Sequence, residues 1–193
     1  PRGTSFTEFQ ALDLGAARLE AGDDEFALER TELATGGGSA FTAEIDVTDL
    51  PHAEGTDFIV RTDGSLEAPS FGVRVRAPAT FEVDTIGHVT PGAGTLPIPR
   101  RAGLRVAWSP PSDESEMFII LATPTQGLVC RVRDEGEFTI PKKMMTELTP
   151  SRGQLVIERH NEALFDTAAA PDGGQRSGRG RYAVQRWYNF DLQ

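Results

Sequence analysis

Apolar and polar residues alternate along most of this chain in short runs, and glycine, proline and aspartate separate the runs. The densest example is the stretch from Leu104 to Glu158. In Leu104-Arg105-Val106-Ala107-Trp108 the residues Leu104, Val106 and Trp108 share one face, the period-two signature of a strand, and Pro110 and Pro111 stop it. Met117 to Ala122 is continuously apolar, which suits a strand buried on both faces or one crossing the middle of a sandwich. Gly127 then turns the chain into a run in which Leu128, Cys130 and Val132 point one way, and Gln154 to Arg159 forms a further strand. Phe138 to Leu148 has Pro141 where a first helical turn tolerates it, with Met144, Met145 and Leu148 on one helical face, so one short helix is expected over Pro141 to Leu148.

The N-terminal half repeats the pattern. Phe6 to Leu14 reads as strand or helical turn, with strand preferred. Ala16 to Glu20 and Glu25 to Arg30 flank Gly22-Asp23-Asp24 and suit a hairpin, against a competing helix from their Ala, Leu, Glu and Arg content. Gly36-Gly37-Gly38-Ser39 is a flexible connection. Ala40 to Val47 alternates cleanly, and strands follow at Asp57 to Thr62, Phe71 to Arg76 and around Phe81 and Val83. Short strands with turn signals at a spacing of about ten residues are the pattern of an all-β sandwich. Pro91, Gly92, Gly94, Pro97 and Pro99 make residues 90 to 100 the best linker or inter-sheet crossover. Residues 168 to 180 are small and glycine-rich, which predicts a long mobile loop, and Tyr182 to Leu192 is a long alternating edge or closing strand. The expected fold is therefore all-β: immunoglobulin-like antiparallel sandwiches with one short helix, one in residues 1–88 and one in 89–193 with the boundary in 86–100, or a single composite sandwich.

Charge narrows the partners. The 193 residues include 29 acidic and 19 basic side chains, a formal net charge of −10 that disfavours nucleic acid and anionic membrane surfaces. Lys142 and Lys143 are the only lysines, and the arginines scatter along the whole chain, as in the coding bias of a high-GC genome. Cys130 is the only cysteine, so no intramolecular disulfide forms; in an alternating strand it reads as a small buried hydrophobe and not as a reactive thiol. No window approaches the ~18 consecutive apolar residues of a membrane span. The sequence opens at Pro1 without a methionine, so removal of a signal peptide, a lipid-anchoring cysteine or a tag is expected upstream.

Two phrases together carry a resemblance. The first is Ala68-Pro69-Ser70-Phe71-Gly72-Val73-Arg74-Val75-Arg76-Ala77-Pro78. The second runs from Ile98 through Leu104-Arg105-Val106-Ala107-Trp108 and Cys130-Arg131-Val132 to Gly136-Glu137-Phe138-Thr139-Ile140-Pro141, ending at Leu148. They resemble an uncharacterised β-rich domain family of secreted or lipid-anchored proteins of myxobacteria and similar high-GC bacteria, over roughly residues 55 to 190. The resemblance implies a location in the cell envelope, periplasm or outer membrane included, or outside the cell. It brings no catalytic set, because its residues are packing and turn residues.

Candidate chemistry is sparse. His52, His88 and His160 lie far apart, without a partner at metal-ligand spacing, and read as solvated loop or strand-edge histidines. Three acidic clusters, Asp23-Asp24-Glu25, Asp113-Glu114-Ser115-Glu116 and Asp134-Glu135-Gly136-Glu137, could gather around calcium at the ends of sandwich strands, although soluble hairpin tips are the simpler reading. There is no nucleophile elbow, and Gly36-Gly37-Gly38 and Gly173-Gly174 lack the context of a phosphate loop. Tyr182, Trp187 and Tyr188 offer either a sugar-stacking platform or strand packing. No catalytic or cofactor-binding residue is assigned, and the metal question stays open. The expected function is a non-enzymatic envelope or extracellular protein, a structural or accessory component of a larger assembly that binds a protein partner. The alternative is a calcium-assisted carbohydrate-binding or adhesion module.

Overall fold

The computed structural model describes residues 15–32, 39–42, 55–66, 69–167 and 176–193. The expected elements at Phe6 to Leu14, Gly36 to Gly38, 43 to 54 with His52, and 168 to 175 lie outside them. The fold is all-β of sandwich type with one short helix. The strands are β1 Ala17–Ala21, β2 Asp24–Glu32, β3 Ser39–Thr42, β4 Asp57–Thr62, β5 Phe71–Arg76, β6 Glu82–Ile86, β7 Thr95–Ile98, β8 Leu104–Ser109, β9 Glu116–Ala122, β10 Gly127–Arg133, β11 Glu137–Ile140, β12 Arg152–Thr167 and β13 Arg176–Leu192, with α1 at Lys142–Glu147.

Two compact units form: residues 1–76 with 162–181, and residues 77–161 with 182–193. The division thus falls at Arg76 and Ala77, ahead of the proline-rich stretch of the sequence reading. The reason is packing, since Phe81, Val83, Ile86, Leu96 and Ile98 all enter the core of the second unit. The chain leaves and re-enters that unit within β12 and β13.

In the first unit a five-stranded sheet has the order β3-β2-β1-β4-β5. Ala21 pairs with Asp24 across the β1–β2 hairpin, leaving Gly22 and Asp23 as a two-residue loop. Gly22 adopts a φ of 65°, a left-handed conformation that glycine enters without steric cost. That loop settles the contest between hairpin and helix.

The second unit holds a five-stranded sheet, β10-β9-β12-β13-β7, and a three-stranded sheet, β11-β8-β6. Both contribute to one core: Met117, Ile119, Leu121, Leu155, Ile157 and Phe190 from the larger sheet, Val83, Leu104, Val106, Trp108 and Ile140 from the smaller. The apolar run Met117 to Ala122 is a central strand with one face fully buried and Phe118 and Ile120 half-buried on the other. Residues 95–98, expected as linker, form β7 and pair parallel with β13, Pro97 opposite Asp191. Proline is tolerated there because β7 is an edge strand, where one side of the backbone needs no donor. β13 in turn lies inside the sheet between β12 and β7, not at its edge, and residues 176–180 already belong to it.

Between β6 and β8 the register shifts at Asp84, so Val83 pairs with Trp108 and Thr85 with Ala107. This bulge lets Val83 and Ile86, three positions apart, reach the same core. Asp84 accepts a hydrogen bond from the Ser109 hydroxyl at 2.9 Å. Pro141 stands at the N-cap of α1, and Met145 and Leu148 seal the core beneath it.

Trp108 is buried, as its alternation with Leu104 and Val106 requires. Trp187 is 57% exposed. Trp108→Ala is expected to cost about 3–5 kcal/mol, and Trp187→Ala no more than about 1 kcal/mol, measured by urea unfolding. A red-shifted, readily quenched Trp108 emission in a Trp187→Phe background would contradict this placement.

Candidate functional site

Glu158, Arg159 and His160 follow one another in β12, and all three are buried. Strand geometry sends them to opposite faces. Arg159 shares the inward parity of Leu155 and Ile157, while Glu158 and His160 share that of Val156.

Arg159 has no exposed surface, so its charge must be met by fixed dipoles and a counter-ion. Its Nη1 donates to the carbonyls of Ala79 at 3.2 Å and Thr80 at 3.1 Å. Nη2 donates to the carbonyl of Pro110 and to Asp134 Oδ1, the latter at 3.1 Å. Arg159 Nε lies 2.7 Å from Asp134 Oδ2, an ion contact outside hydrogen-bond alignment. Asp134 Oδ1 also accepts from Trp108 Nε1 at 2.6 Å. The Phe81 ring lies under two guanidinium groups, with its centroid 5.0 Å from Arg159 and 5.4 Å from Arg186.

On the opposite face Gln185 Nε2 donates to Glu158 Oε2 at 2.6 Å. His160 Nδ1 lies 3.3 Å from Glu158 Oε1, and its Nε2 lies 3.6 Å from Glu116 Oε2. The Phe118 ring tilts against the imidazole with centroids 4.8 Å apart. Beside this polar group runs an apolar row. Ile120 pairs with Val129 on one side and with Val156 on the other. β13 neighbours β12, and Leu192 N donates to the Ser151 carbonyl at 2.9 Å, a register that sets Trp187 beside Val156. Val129 is 58% exposed, and Trp187 Nε1 donates to Gln185 Oε1 at 3.1 Å, which orients the ring.

The residues singled out from sequence are scattered across this scaffold. His88 is exposed, whereas His160 is buried and not the solvated histidine expected, because β12 continues through it as an inner strand. Asp134 is likewise no soluble hairpin tip: it is 4% exposed and its carboxylate is committed to Arg159 and Trp108. Ser112, Asp113, Ser115, Arg133, Asp134 and Glu135 line a hollow of about 290 Å3, so two of the acidic turns do meet. Among the described residues no three His, Cys, Asp or Glu side chains are placed to hold a metal ion. Tyr182 and Tyr188 share the half-buried parity of β13 and Trp187 points the other way, so the three form no common platform. Sequence reading missed Arg159 and its partner. The available signal was a charged triplet continuing an apolar strand with no turn residue between them.

No family model matches the chain, and neither does any curated protein.

Arg159→Met would leave Asp134 charged and buried, an expected loss of about 3–5 kcal/mol. Adding Asp134→Asn, which keeps an acceptor for Trp108, is expected to restore part of that loss in urea unfolding. Strict additivity would show the pair to be uncoupled.

Burial pushes the Cys130 thiol above its ordinary value and does the same to the Tyr182 and Tyr188 phenols. The folded state therefore holds these protons more tightly than the unfolded chain. The resulting stability is present below the ordinary thiol and phenol values of about 8.5 and 10 and is lost as pH rises above each of them toward the raised value of the folded state. Thermal melts across this window are expected to show a falling midpoint, with Cys130→Ala flattening its first part. A thiol reagent at neutral pH should label Cys130 only as fast as the protein opens.

Proposed function

We propose that this chain is a non-enzymatic β-sandwich protein of the cell envelope or extracellular space, a structural or accessory component of a larger assembly. It works by offering a β-sheet surface to a protein partner. The observation that carries this reading is the row Val129, Ile120, Val156 and Trp187 on four neighbouring strands, whose two ends, Val129 and Trp187, are more than half exposed while Val156 between them is buried. Interface cores are enriched in such aromatic anchors. The exposed polar residues beside the row, Gln185 and Arg131, suit a rim that stays wet. The proposal places the second unit among immunoglobulin-like sandwiches, on the strength of Trp108 and Cys130 sharing one core without a disulfide. The resemblance to the envelope family of high-GC bacteria supports the compartment.

A carbohydrate-binding reading draws on one observation, the exposed and oriented Trp187 beside the amide of Gln185. Its calcium component would have to do without Asp134, which Arg159 holds.

Gentle cross-linking of the protein in its own cells, followed by isolation, is the test. The expected result is a stoichiometric protein neighbour whose recovery falls when Trp187→Ala and Val129→Asp are combined, with the melting temperature nearly unchanged. Recovery of polysaccharide without protein would favour the glycan reading. Turnover on a panel of esters, peptides and glycosides would overturn the proposal.

A further inference from the structure

Among the described residues six strands stand at sheet edges, and they are unequally protected. β3, β7 and β11 have four residues each, and β7 contains Pro97, which offers no N–H to a neighbour. β6 carries the bulge at Asp84. Short length, proline and bulges are the usual means of discouraging a further strand. β5 is regular, but its Arg74 is engaged by Asp57 at 3.3 Å. That leaves β10, seven residues without proline, paired with β9 in unbroken register from Gly127–Ala122 to Arg133–Glu116.

The two faces of β10 have different chemistry. On the core side Leu128 and Val132 are only half-buried, as is Phe138 of β11, and all three pack against the core. The margin of the sandwich along β10 and β11 is thus apolar and incompletely covered. On the outer side stand Val129, Arg131 and Arg133. Arg131 contacts Glu116, whereas Arg133 is 90% exposed and its ion contact with Glu135 is 3.9 Å long. No acid occurs in β10, although the chain as a whole carries a net charge of −10.

We infer that the edge of β10 accepts an extended partner segment in which acidic and apolar residues alternate. Such a segment would add a strand by backbone hydrogen bonding. Its apolar side chains would cover Leu128, Val132 and Phe138, and its acidic ones would face Arg131 and Arg133. Outward positive charge on an edge strand repels basic strands, this protein's own β10 included, while it leaves an acidic strand attracted. The inference rests on the reading of the chain as a partner-binding β-protein and names the partner's chemistry.

The test uses a short synthetic peptide alternating glutamate and valine, and its twin with lysine in place of glutamate, added to the whole protein. Amide hydrogen exchange is expected to slow in residues 127–133 with the acidic peptide and not with the twin. Arg133→Glu, at a position too exposed to disturb folding, is expected to weaken the acidic peptide about tenfold or more. Equal binding of the twin, slowed exchange confined to another strand, or an unchanged affinity in Arg133→Glu would overturn the inference. If the acidic peptide fails while a protein neighbour is still recovered from cells, the edge assignment falls and the broader proposal stands.

Discussion

The second unit is organised around one buried ion pair. Arg159 projects from the middle of β12 into the core, and a guanidinium there is tolerable only if almost every direction around it offers an acceptor. The acceptors come from parts of the chain far apart in sequence: the carbonyls of Ala79 and Thr80, the carbonyl of Pro110, and the carboxylate of Asp134. Each must therefore sit in one place. The entry to β6, the exit of β8 and the turn after β10 are fixed relative to β12 by a single side chain, and Trp108 is drawn into the same set through Asp134.

This arrangement accounts for the position of the turns as well as the core. The turn after β10 would otherwise be a loose acidic hairpin tip. Because Asp134 is held inward, Ser112 N donates to the Asp134 carbonyl at 3.2 Å and Trp108 N to the Gly136 carbonyl at 2.8 Å. β10 is thereby held as the outer strand of the larger sheet.

Much of the fold was legible in the chain because it depends on local spacing. The alternation of Leu104, Val106 and Trp108 specifies a strand and its buried face whatever surrounds it. Gly22-Asp23-Asp24 marks a turn that suits a hairpin, because glycine adopts a left-handed φ at little cost, and the structure chose that hairpin over the competing helix. Pro141 followed by Met145 and Leu148 specifies a short helix with an inward side. These inferences involve neighbours in sequence, where steric constraints act directly.

Other features required the assembled structure. Thr95 to Ile98 sits among Pro91, Gly92, Gly94, Pro97 and Pro99, which hide a strand, and becomes one because β13 offers it a parallel partner. Val83 and Ile86 share a core only through the bulge at Asp84. Asp134 and Arg159 look like ordinary surface charges, since no pattern in sequence couples residues twenty-five positions apart. The sequence by itself determined the class of fold, the strand faces and the short helix, because hydrophobic period and turn chemistry are local properties. Only the tertiary structure decided which charges are buried and which strands pair, because burial and pairing depend on chain segments that meet only in space.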